Sequence, residues 1–81
     1  MTIQKAIESL QYHNTNTRAR AVDLKKEASR MFILGKLDPH ETKIVVFEAD
    51  QIIRSVSYSE RACDRLKKFV DEKKSGQPEK I

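Results

Sequence analysis

From Pro39 to Lys74 the chain carries no glycine and no further proline. Within that stretch Val45, Ala49, Ile52, Val56, Ser59, Cys63, Leu66 and Val70 recur at alternating steps of four and three. Such a seam, with one polar member at Ser59, is the signature of a helix that packs along its length against another helix. Unbroken, it would be about 54 Å long at ~1.5 Å per residue. Its start is equally marked. Asp38-Pro39-His40-Glu41 sets a capping carboxylate, a proline at the first helical position and a glutamate at the third. Ser57-Tyr58-Ser59-Glu60 also spells a capping box, so the alternative is a break near Ser57 that yields four helices.

Two shorter helices are expected before it. Ile3, Ala6, Ile7 and Leu10 share one face of a segment reaching Tyr12, with Thr2 as its N-cap. His13-Asn14-Thr15-Asn16-Thr17 then reads as a connection, because Asn and Thr side chains compete for backbone hydrogen bonds. A second helix from Arg18 to Leu34 follows, with Ala21, Leu24, Ala28 and Met31 on one stripe and Gly35 as its stop. The expected fold is therefore all-α: a small bundle in which two shorter N-terminal helices fold back on a long C-terminal one. Residues 1–75 form the single domain, and the Gly76–Ile81 segment reads as a flexible tail.

Within Ile44–Val56 the apolar residues point nearly all round, so the two N-terminal helices are expected to cover this half. Beyond Ser57 the apolar surface narrows to Ala62, Cys63, Leu66, Phe69 and Val70. With nothing left in the chain to cover it, this seam is the expected contact for a second copy or another helical protein. On the opposite face Arg54, Arg61, Arg65 and Lys68 align, with Tyr58 among them. The bland reading is a solvated helix face. The sharper one is a stripe that follows a polyanion, nucleic acid included. Arg18, Lys25 and Lys36, with Lys26 and Arg30 alongside, form a second basic group.

Composition narrows the chemistry. The chain has 81 residues and a net charge of +4. That charge alternates: residues 1–37 are basic, Asp38–Asp50 is acidic, and residues 51–74 are basic again. Alternation of this kind suits segments docking on each other as well as contact with a polyanion. A single cysteine excludes an internal disulfide and points to a reducing compartment. Cys63, His13 and His40 are the only candidates for the roughly four Cys/His ligands of a structural zinc site and are far apart in sequence. Glu48 and Asp50 are two residues apart and would point to different helix faces. No Gly-rich phosphate loop and no GxSxG, HExxH or CxxC motif is present.

No enzyme activity, metal, cofactor or small-molecule substrate is therefore expected. The apolar run Ile44–Phe47 is too short to cross a bilayer. The Met1–Lys5 opening lacks the charged start and apolar stretch of a signal peptide, so a cytoplasmic location without membrane contact is expected. Gly35-Lys36-Leu37-Asp38 has the length of a helix-turn-helix turn. The helix after it begins acid-rich and turns apolar, which is wrong for reading bases. The segment Thr2–Leu10 resembles the opening of small helical proteins encoded by phages and prophages, a resemblance that implies no site residue.

The expected function is a non-enzymatic helical interaction or regulatory protein that self-associates. The alternative is non-specific electrostatic binding of nucleic acid.

Overall fold

A computed structural model describes residues 2–74 and contains two helices, α1 (Ile3–Ile33) and α2 (Pro39–Lys74). They lie antiparallel as a helical hairpin about 63 Å long and 18 by 14 Å across. The described residues include no strand. The tail expected at Gly76–Ile81 lies outside them.

Both ends of α1 and the start of α2 follow the sequence closely. The Thr2 hydroxyl accepts from the Lys5 amide at 3.1 Å and caps α1. At the other end the Gly35 amide donates to the Phe32 carbonyl (3.0 Å) and the Lys36 amide to that of Met31 (2.8 Å). This pair of bonds is a Schellman motif, and it needs a left-handed residue, supplied by Gly35 at φ 74°. At the start of α2 the Glu41 amide donates to Asp38 Oδ1 (2.7 Å) while the Asp38 amide donates to Glu41 Oε1 (2.9 Å). Both orphan donors are satisfied reciprocally.

The expected pair of short N-terminal helices is corrected to one. α1 runs without interruption through His13–Thr17. Thr15 turns its hydroxyl back onto the Gln11 carbonyl at 3.1 Å, a bond compatible with continued helix. Asn14 is buried, at 8% exposure, and its amide donates across the hairpin to Ser59 Oγ at 3.0 Å. A residue read as a helix breaker instead finds its partner on the other helix. The alternative break near Ser57 does not occur either. Ser57 and Ser59 lie inside a continuous α2, and each hydroxyl accepts a hydrogen bond from α1, from Arg18 (3.1 Å) and Asn14 (3.0 Å) respectively.

The core follows a seven-residue period. Ile7, Asn14, Ala21 and Ala28 are buried on α1, and Ala49, Val56 and Cys63 on α2. The Asn14 amide lies 4.0 Å from Cys63 Sγ. Stepping by sevens from that contact in opposite directions sets Ile7 opposite Val70, Ala21 opposite Val56 and Ala28 opposite Ala49. Ile7 and Val70 do line one shared crevice. The second half of α2 thus does not project: the first half of α1 covers it.

Two stability measurements check this framework. An added Cβ at Gly35 would meet no atom within 4 Å, so Gly35→Ala should cost only its left-handed conformation, about 1–2 kcal/mol in chemical denaturation. Ser59→Ala should cost about 1–2 kcal/mol by leaving the buried Asn14 amide with only the weak Cys63 Sγ acceptor. Adding Asn14→Leu should recover most of that loss. A Ser59→Ala chain as stable as its parent would show that the Asn14–Ser59 bond contributes nothing.

Candidate functional site

The two flanks of the hairpin seam differ sharply. On one flank Arg18 pairs bidentately with Glu60, its Nε lying 3.3 Å from Oε2, and also donates to Ser57. Lys25 Nζ donates to Asp50 at 2.8 Å. Gln4 and Gln11 continue this row on α1 by the same seven-residue step. The flank is polar and bridged by charge pairs between the helices.

The other flank is apolar. It receives Ile3, Leu10, Thr17, Leu24 and Met31 from α1, and Val45, Ile52, Ser59 and Leu66 from α2. Ala62 and Phe69 lie next to this row on α2. Ile3, Phe69, Val70 and Lys73 line a common hollow at the open end of the hairpin, which places the two helices' apolar rows on the same side. Leu24 is 42% exposed, Leu66 45% and Phe69 53%. Thr17 and Ser59 make a polar interruption at the middle of the face.

The expected seam of Ala62, Cys63, Leu66, Phe69 and Val70 is therefore divided. Cys63, at 1% exposure, and half-buried Val70 pack towards α1. Ala62, Leu66 and Phe69 belong to the uncovered flank. The contribution of α1 to that flank was missed in the sequence because its two stripes were assigned to separate helices. A signal was present: Ile3, Leu10, Leu24 and Met31 keep one phase across the Asn/Thr run.

Tyr58, Arg54, Arg61, Arg65 and Lys68 all lie exposed on the back of α2, away from α1. The Arg61 guanidinium sits over the Tyr58 ring, 5.1 Å from its centre. Arg54, Arg65 and Lys68 form no ion pair with any described residue. The second basic group is not equivalent. Arg18 and Lys25 are taken up by the pairs across the hairpin, and Arg30 pairs with Glu27 one turn away. The hydrogen bond from Arg30, aided by its charge, holds the Glu27 carboxyl below the usual carboxylate range. Both side chains are more than half exposed, so this pair contributes little to stability.

A third feature lies near the turn on the polar flank. There Phe32, Pro39, Val46 and Phe47 line an open apolar hollow beside His40 and Asp50.

Among the described residues no three His, Cys, Asp or Glu side chains come together to hold a metal ion. Cys63 is sealed in the seam with Asn14 as its polar neighbour, and no base adjoins it. Asp50 is engaged by Lys25, while Glu48 points to solvent on another face. No helix among the described residues is long and apolar enough to cross a membrane. Searches of protein-family models, curated proteins and solved structures find no match to this chain.

Proposed function

We propose that the chain is a non-enzymatic helical interaction protein, an adaptor or regulator that self-associates. The observation that carries this reading is the uncovered apolar flank. A two-helix hairpin has one seam, and here the apolar side chains it buries are Ile7, Val56, Cys63 and three alanines, so leucine, isoleucine and phenylalanine side chains are left outside on either side of the Thr17/Ser59 layer. Contiguous apolar surface on this scale marks an interaction face. Burying it would also supply the core that two helices alone lack.

Sedimentation from low to high micromolar concentration, with an apolar fluorescent dye present, tests the reading. The chain should assemble as concentration rises, shed dye as it does so, and melt at a temperature that increases with concentration. A monomer throughout that range which also binds no dye would remove the proposal.

A second reading rests on a different surface. The seven-residue spacing of Arg54, Arg61 and Lys68, with Arg65 and the stacked Tyr58 beside them, makes an aligned cationic stripe on an exposed helix back. It suits non-specific electrostatic binding of nucleic acid. Affinity for a single- or double-stranded oligonucleotide should fall steeply with added salt, and the Arg61→Glu/Arg65→Glu double variant should abolish it. Equal binding by that variant would exclude the stripe.

A further inference from the structure

The apolar flank reads nearly the same from either end, departing only where Val45 at one end of the α2 row is matched by Lys73 at the other. On α1 its row is Ile3, Leu10, Thr17, Leu24, Met31, symmetric in character about Thr17. On α2 it is Val45, Ile52, Ser59, Leu66, Lys73, with Ser59 at the centre and large aliphatic residues one heptad to either side. The pairing of Asn14 with Ser59 and Cys63 puts Thr17 and Ser59 at nearly the same height along the hairpin. Both rows therefore have their centre of symmetry at one level. An isologous twofold contact needs a self-complementary patch, and end-over-end rotation makes this one so by setting aliphatic residues one heptad from the centre on aliphatic residues.

We infer that the occupant of this flank is a second copy of the chain, turned end over end, with the twofold axis passing through the Thr17/Ser59 layer. This deepens the self-association reading and rests on it. Leu10 then meets the partner's Leu24, Ile3 meets the partner's Met31, and Leu66 meets the partner's Ile52. The polar residues at the centre meet only each other, and at the ends of the α2 rows Lys73 lies over the partner's Val45.

Charge chooses between this arrangement and the other way of stacking two such faces. A twofold axis along the hairpin would lay α1 on the partner's α2 with heights matched, which brings Glu27 beside the partner's Glu48. End-over-end rotation separates those carboxylates. It also carries Lys73, the lone charge in either row, to within about a helical turn of the partner's Glu48. Area is consistent with this. The rows from Ile3 to Met31 and from Val45 to Lys73 run about 42 Å at ~1.5 Å per residue. Across the 18 Å width of the hairpin they offer a projected area of about 760 Å², close to the ~800 Å² per partner of a standard stable interface.

Single-cysteine crosslinking in a Cys63→Ala background tests the arrangement. Thr17→Cys should form an intermolecular disulfide with itself under mild oxidation. Leu10→Cys should crosslink poorly alone but well when mixed with Leu24→Cys. Leu24→Asp, with helix content unchanged by circular dichroism, should weaken the dimer by about a hundredfold or more, because symmetry removes two leucines at once.

A dimer in which Thr17→Cys crosslinks only to Ser59→Cys would overturn the end-over-end geometry while leaving self-association intact. A dimer indifferent to Leu24→Asp would overturn the choice of face. A monomer that still binds apolar dye would overturn the second copy as occupant but leave an interaction face for another protein.

Discussion

The close approach of two helices through small residues decides most of what this molecule is. Ala21, Ala28, Ala49 and Cys63 fill most of the buried layers, beside Ile7, Asn14 and Val56, and side chains of that size let the helix backbones come near each other. A near approach narrows the seam, and a narrow seam has little room for large residues, Ile7 near the open end being the largest it buries. Phe32, Phe47, Phe69 and the leucines are thereby displaced to the flanks and the ends. An ordinary monomer places its largest apolar side chains inside. This chain inverts that order, and the inversion makes the hairpin look like one half of a larger core.

Register in so uniform a seam needs a marker. Alanine layers resemble one another, so a slip by seven residues would exchange one for the next at little cost. The Asn14–Ser59 bond does not tolerate that slip, because a buried amide without an acceptor costs more than a misplaced alanine gains. Arg18, reaching both Glu60 and Ser57, reinforces the same alignment from the polar flank. The turn contributes through its length and through the two motifs at Gly35 and Asp38–Glu41. Register, turn and charge pairs thus agree, the mutual consistency by which a sequence specifies one structure.

How far this was legible in the sequence varied with the range of the interaction. The Asp38–Glu41 start and the Gly35 stop are local, and the residues that make them are adjacent. The continuity of α1 is not local. Asn14 favours a connection when judged by its neighbours and favours a helix only when Ser59, 45 residues away, accepts its amide hydrogen. The phase of Ile7, Ala21 and Ala28, like that of Ile3, Leu10, Leu24 and Met31, is a sequence signal that spans the run. It shows its meaning once Asn14 is allowed to be a core residue. The same misassignment split the apolar flank, since half of it belongs to α1.

The two candidate surfaces are coupled if the second copy sits as inferred. End-over-end rotation lays α2 against the partner's α2, and the back of each helix then faces the same edge of the assembly. Arg54, Arg61, Arg65 and Lys68 of both copies come out along that edge, antiparallel to each other, with the Tyr58 rings near its middle. A short stripe on a monomer becomes a band about twice as rich in cations. Because each neutralised phosphate releases condensed counterions, affinity for a polyanion rises steeply with the number of cations that track it. The alternative twofold would put the two stripes on opposite edges and leave each alone. Polyanion binding and self-association are therefore not rival readings of one sequence. The apolar flank would build the assembly, and the assembly would give the basic face a length that a single hairpin lacks.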